Sequence, residues 1–347
     1  MEKLKDFLKN IIVFILLIVI TFFVIFKNQS PSEIFQLITG TKLRYIACGL
    51  LAMFLYFFLE SLNVKLIMTE FKEKISVFKM LKFTLIGFFF SAITPAATGG
   101  QPVEIYYMHK EKYKTAHGTI ALLIEFCCFQ IIEISLGIVG AIANYKLMNW
   151  KLFLIFVLGL IMCSCALFLM LAGIFSRRLS KKMVRFAIKV MKFLRIKNIE
   201  AKEQAMMRWL KQYNSSSRFI KTHKGIFLRS LVIVLFQLIA YYSVPYFVYR
   251  AFGFNEVGII RIITMQALLF TSVSALPLPG SIGISEIVFL LIFGTIYPTN
   301  IGSSAMILNR TVSFYLIVII CAIVVMVNSL LLNKTNKVNN KQIENTH

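Results

Sequence analysis

Residues 91–104 read Ser91-Ala92-Ile93-Thr94-Pro95-Ala96-Ala97-Thr98-Gly99-Gly100-Gln101-Pro102-Val103-Glu104, and they break an apolar stretch that begins near residue 77. Pro95 and Pro102 each remove a backbone donor. Gly99-Gly100 permits backbone angles and close approaches that other residues resist. Such a turn cannot face hydrocarbon, where every unpaired backbone group is costly; it survives buried in protein or beside a wet cavity. A second break follows the same plan at Leu276-Pro277-Leu278-Pro279-Gly280-Ser281-Ile282-Gly283-Ile284-Ser285-Glu286. Regions 77–108 and 259–297 therefore each read as two apolar half-helices around a Pro/Gly turn. Each second half opens with an acid, Glu104 or Glu286, expected in its first turn. Matched breaks in opposite halves of a chain point to a binding site at the membrane midplane.

The solvent implied by the rest of the chain is lipid. Of 347 residues, 58% are hydrophobic, 33 are Phe, and the mean hydropathy is +0.78. Soluble domains are about 45–50% apolar. The formal charge of +23 gathers in the connections between apolar runs, as topology at an anionic leaflet demands. That distribution argues against nucleic-acid binding. The six cysteines, Cys48, Cys127, Cys128, Cys163, Cys165 and Cys321, lie in apolar runs without metal-ligand spacing and read as small buried hydrophobes. The first apolar run has no small-residue cleavage site after it, so it is expected to remain as an anchor helix.

Full spans are expected at 8–26, 43–60, 118–143, 152–175, 226–249 and 303–332. Lys3, Lys5 and Lys9 place the N-terminus inside, and Lys65–Lys82 return the chain there. Lys110, Lys112 and Lys114 then stay inside if the first broken region enters and leaves by one face. The connection 176–224 is strongly basic and reads as cytoplasmic. Within it, Leu179, Met183, Phe186 and Val190 recur at helical spacing, which suggests an interfacial helix over 177–196. The tail 333–347 is polar. The expected fold is an all-α polytopic membrane protein in one domain. It has about six full transmembrane helices and two opposed re-entrant hairpins, arranged as an inverted repeat. Counting each broken region as two complete crossings gives the same loop orientation with more spans.

Candidate site residues follow from this plan. The half-helix that opens after each turn aims its free N–H groups at the turn, a natural place for phosphate or carboxylate. Gly99, Gly100, Gln101, Gly280, Ser281 and Gly283 belong to these turns. Glu104 and Glu286 could cap, accept a proton or bind a cationic group. Glu125 and Glu133 share one face of the span 118–143. Arg310 lies inside the last span, where an unpaired charge costs at least ~2.5–3.5 kcal/mol on insertion scales. It calls for an acidic partner, Glu286 or Glu125, or a bound anion. A structural ion pair is the plainer alternative. No metal spacing, nucleotide loop or nucleophile motif occurs, so no cofactor, metal or catalytic residue is expected.

The segments Thr94–Pro102 and Pro277–Glu286, together with Asn309-Arg310-Thr311, resemble the lysylphosphatidylglycerol synthase transmembrane family. This is the flippase-like membrane region of the multiple peptide resistance factor. The resemblance covers nearly the whole chain. It implies a protein of the cell membrane that moves a phosphate-bearing, anionic or aminoacylated phospholipid between leaflets. In full-length relatives a soluble domain transfers lysine from lysyl-tRNA to phosphatidylglycerol. The chain ends about fifteen residues past its last span, which leaves no room for that domain. The alternatives are a phosphatidylglycerol lysyltransferase and a membrane scaffold that acts through 176–224. Where the family pattern has Arg after the acid matched to Glu125, this chain has Phe126.

Overall fold

The computed structural model describes residues 38–94, 99–175, 224–274 and 279–328, with isolated positions elsewhere. Among the described residues every regular element is helical. In chain order these are α1 (Leu43–Glu70), α2 (Val77–Ile93), α3 (Gly100–Lys110), α4 (Thr115–Ala143), α5 (Trp150–Phe175), α6 (Lys224–Tyr242), α7 (Val244–Ala251), α8 (Ile259–Val273), α9 (Ile284–Phe293) and α10 (Gly302–Arg310). A π turn, Thr311–Tyr315, follows α10 and leads into helix up to Asn328.

Among the described residues, five stretches are long and apolar enough to cross a membrane: Leu43–Glu70, Thr115–Ala143, Trp150–Leu171, Gly225–Ala251 and Gly302–Asn328. The spans expected at 43–60, 118–143, 152–175, 226–249 and 303–332 fall on them. The expected anchor at 8–26, the apolar residues of the 177–196 helix and the 333–347 tail lie outside the described residues. One boundary needs correction. The helix expected to stop at residue 60 continues for ten more residues to Glu70, so Glu60 lies within the helix.

Helix α1 runs antiparallel to α6–α7 and is fastened at both ends. At one end the Lys42 N–H donates to the Ala251 carbonyl at 2.9 Å, and Arg250 donates to the Tyr45 hydroxyl at 3.3 Å. At the other, Arg229 meets Glu70 at 3.2 Å. These pins give the bundle two distinct ends. Both ends of the α2–α3 pair lie at the Glu70 end. There Lys79 reaches Glu111 at 2.8 Å with Lys82 beside it, and Glu73 meets His117 at 2.8 Å. Both ends of the α8–α9 pair lie at the Ala251 end, where the Tyr297 ring packs against Tyr249 at 5.5 Å and against Phe252 and Phe254. The inner ends of the two pairs come together in a small apolar cluster of Ala92, Ile93, Ile282, Phe314 and Val318.

The bundle has an apolar core that also encloses polar side chains, and its exterior is widely apolar. Ser61, Asn63, Thr84, Gln130, Gln237 and Gln266 are buried, whereas Phe54, Leu158, Phe168 and Ile320 are exposed. Water would penalise so wide an apolar exterior; hydrocarbon does not. Cys127, Cys128, Cys163 and Cys321 are buried as expected, but Cys48 and Cys165 lie on the exterior. In lipid an apolar residue gains nothing by facing inward, so hydropathy alone does not assign a face.

Candidate functional site

The second break is held by its own helix. Gly283 takes φ of +92° and Gly280 takes +58°, values that favour glycine. The turn then enters α9 with Glu286 at its third residue, and one Glu286 oxygen accepts from the Gly283 N–H at 2.7 Å and the Ser285 hydroxyl at 2.9 Å. The carboxylate thus occupies the anion position at the helix start. The other oxygen accepts from Arg310 Nε at 2.7 Å. Arg310 Nη2 donates to the Gly280 carbonyl at 2.9 Å, and its guanidinium lies over the Phe314 ring at 4.6 Å. The expected partner of Arg310 is therefore Glu286. Glu125 lies elsewhere. Both Glu286 oxygens are engaged within the protein, so its role in this structure is to orient Arg310 and cap α9.

The Arg310 pair is buried, with the arginine side chain 11% and the glutamate 4% exposed. What remains accessible of Arg310 faces a cavity of about 200 Å³ between the inner ends of the two helix pairs. Its polar wall includes Ser91, Gly280, Ser281 and Asn309, and its apolar wall includes Phe88 and Phe314. The cavity thus combines a fixed cation with rings and hydroxyls.

The first break is built differently. Its Gly99 N–H donates to Thr94 Oγ1 at 2.9 Å, and the Thr94 hydroxyl donates to the Phe90 carbonyl at 2.6 Å. Helix α3 begins at Gly100, so Glu104 is its fifth residue, two positions later than Glu286 is in α9. The two acids are not structural counterparts. Glu104 bends instead onto α2, where a Cβ at Gly87 would come closer than 3.0 Å to the Glu104 side chain. Pro102 is exposed, and Gln101 is partly so. Pro95 and Pro277 lie outside the described residues, whereas Pro279 opens the short 3-10 turn before α9.

Sequence reasoning therefore joined residues that the fold separates. Gly280, Ser281 and Arg310 line the cavity, with Gly283 and Glu286 behind them. Gly99, Gly100, Gln101, Glu104, Glu125 and Glu133 do not line it. Glu133 is fully buried and accepts a short bond from Ser274, whose residue does line the cavity; Cys163 Sγ lies 3.7 Å from the same Glu133 oxygen. Glu104 and Glu125 belong to another group, together with Glu60, which the sequence reading left out. A carboxylate inside the apolar run LAMFLYFFLES was the available signal.

Comparison with known proteins agrees with this architecture. The family model for the lysylphosphatidylglycerol synthase TM region matches residues 10–321. A UPF0104 membrane protein of Archaeoglobus fulgidus is 21% identical over 300 residues, covering 84% of this chain and 89% of that protein. A UPF0104 membrane protein of Methanothermobacter thermautotrophicus is 23% identical over 240 residues, covering 67% of this chain and 70% of that protein.

Proposed function

Since the chain belongs to the family of lysylphosphatidylglycerol synthase TM regions and is a multi-pass membrane protein, we propose that it moves a phosphate-bearing lipid between leaflets. The observation that carries this reading is the buried arginine on the wall of the 200 Å³ cavity. Arg310 is held rigid by Glu286 and Gly280, so it offers a fixed positive group to a head-group phosphate without reorganising. Gly280 and Ser281 supply polar wall beside it, and the phenyl rings tolerate the glycerol and acyl stems. An anionic or aminoacylated phospholipid fits this chemistry.

In this reading the α2–α3 and α8–α9 pairs are re-entrant hairpins that enter from opposite faces, in a bundle of eight or more membrane segments. Support comes from the pins at Lys79–Glu111 and Tyr249–Tyr297, which keep both ends of each pair at one end of the bundle. The cell membrane is the proposed location, with both termini on the cytoplasmic side.

The test is lipid translocation by purified protein in proteoliposomes carrying a labelled phospholipid. Losing one charge-assisted contact of about 1.5–3 kcal/mol should slow transport roughly tenfold or more in Arg310→Ala. Wild-type transport by Arg310→Ala and Glu286→Gln would remove the site assignment. Formation of lysyl-lipid from lysyl-tRNA and phosphatidylglycerol by the purified chain would instead favour an aminoacyltransferase.

A further inference from the structure

The wall of the Arg310 cavity is unbalanced in its hydrogen bonding. Ser274, Ser281, Ser285 and Ser313 all line it. A hydroxyl has one proton to donate and two lone pairs with which to accept. Each of the four gives its proton to the protein. Ser281 donates to the Val273 carbonyl at 3.1 Å, and Ser313 to the Asn309 carbonyl at 2.7 Å. Ser285 donates to the Glu286 carboxylate at 2.9 Å, and Ser274 to that of Glu133. Carbonyls and ionised carboxylates only accept, so the direction of these bonds is fixed. What the four hydroxyls keep for the cavity is lone pairs.

Two amides add to the imbalance. Gln266 on α8 and Asn309 on α10 also line the cavity, and they are 4% and 5% exposed. The side-chain oxygen of each is buried and meets no hydrogen-bond partner among the described residues. A buried acceptor left without a donor is costly, so such a group calls for one from outside the chain.

From this arrangement we infer that the cavity takes a phosphate-bearing lipid whose head group carries free hydroxyls, a polyol such as glycerol. The phosphate meets Arg310, and the hydroxyls donate to the serine and amide oxygens. A hydroxyl also accepts, so it suits either end of the Gln266 and Asn309 amides. An ammonium head group brings donors too, but away from water it needs a counter-ion. Both Glu286 oxygens are engaged within the protein, and Ser274 stands between the cavity and Glu133. The anion left to an ammonium is its own phosphate, for which Arg310 competes. Neutral donors match neutral acceptors without that conflict. The inference rests on the reading of the cavity as a phospholipid site. It adds Gln266 and Asn309 to that site as the residues that select the head group.

The test is equilibrium binding to the purified full chain in detergent, read by displacement of a phosphatidylglycerol labelled on its acyl chain. The competitors are phosphatidylglycerol, the same lipid with both glycerol hydroxyls methylated, phosphatidylethanolamine and free glycerol phosphate. Two ordinary hydrogen bonds separate the first two, so phosphatidylglycerol should bind roughly fivefold tighter or more. Gln266→Leu and Asn309→Leu are expected to bring that ratio towards one. Equal affinity for phosphatidylglycerol and its methylated form, or tighter binding of phosphatidylethanolamine, overturns the inference. Competition by glycerol phosphate as strong as that of the lipid overturns it in favour of a soluble ligand. The wild-type ratio decides even if a substituted chain fails to fold. Arg310→Ala keeps the two readings apart, because it should weaken every phospholipid. A flat ratio together with that loss sinks the hydroxyl match alone, whereas no loss in Arg310→Ala removes the site beneath it.

Discussion

Arg310 Nε lies 2.7 Å from Glu286 Oε1, and the same glutamate caps the helix that follows the second break. One carboxylate therefore fixes both a cation and a turn. The turn positions the Gly280 carbonyl, which accepts the second arginine bond at 2.9 Å. Arginine, acid and broken backbone form a closed loop of contacts.

Removing one partner should therefore destabilise the protein by roughly 3–5 kcal/mol, since the other charge remains buried alone. Glu286→Gln is expected to lower the thermal unfolding temperature in detergent, and Glu286→Gln with Arg310→Met to regain much of the loss. Lipid translocation should fail in both. A double substitution no more stable than the single one would show that the pair is not the source of the loss.

Gly87 admits the Glu104 side chain at a distance no real Cβ allows. Gly87→Ala is expected to cost about 1–3 kcal/mol through overpacking. Gly87→Ala with Glu104→Ala should cost less than the sum of the two single changes, because both act on one contact. The measurement is a double-mutant cycle of unfolding midpoints, and strict additivity would contradict the contact.

The Glu111 clasp closes the outer end of the α2–α3 pair and carries a pH signature. Burial acts to raise the Glu111 pKa, but Lys79 and Lys82 outweigh it and hold the carboxyl below its ordinary value. A depressed folded pKa means stability that is present above the unfolded pKa and is lost as pH falls through the folded one. Glu111→Gln should thus lower stability at pH 7, by no more than ~1 kcal/mol for so exposed a pair. Below the normal carboxylate range the difference should vanish. Unfolding midpoints of both proteins at pH 7 and pH 3 check this; an equal difference at both pH values would refute it.

Gly283 takes φ of +92°, and the Cβ of an alanine there would meet no atom within 4 Å. The cost of Gly283→Ala is then backbone strain alone, roughly 1–2 kcal/mol. Gly280→Ala adds a collision with the Phe314 ring, which lies over Arg310. It should lower transport more than Gly283→Ala does. Equal transport by the two variants would count against the ring as part of the cavity.

Much of this was legible in the sequence because proline, glycine and charge leave local marks. The Pro/Gly breaks are found where they were expected, and a lone arginine in an apolar span called for the acid it has. Other features depend on tertiary packing that local patterns do not carry. Glu104 and Glu286 look alike in sequence, yet helix α3 starts earlier relative to its acid, so one bends back onto Gly87 and the other caps α9. Glu60 ended an apolar run and looked like a boundary, although backbone hydrogen bonding carries α1 on to Glu70. The short bond from Ser274 to Glu133 joins residues 141 positions apart, and nothing in either neighbourhood announces it.

The π turn at Thr311–Tyr315 directly follows Arg310 and carries Phe314, the ring beneath its guanidinium. In effect it is a single residue too many for an α-helix. Winding the same residues into regular α-helix would, by local criteria, give a better helix. It would also turn everything beyond by about 100°, carrying Val318 and Cys321 away from the interior they now fill. The irregularity absorbs the extra residue and so holds the rotational phase of the last helix; straightening it would face the buried side towards lipid, whereas deleting one residue there would keep that side inward.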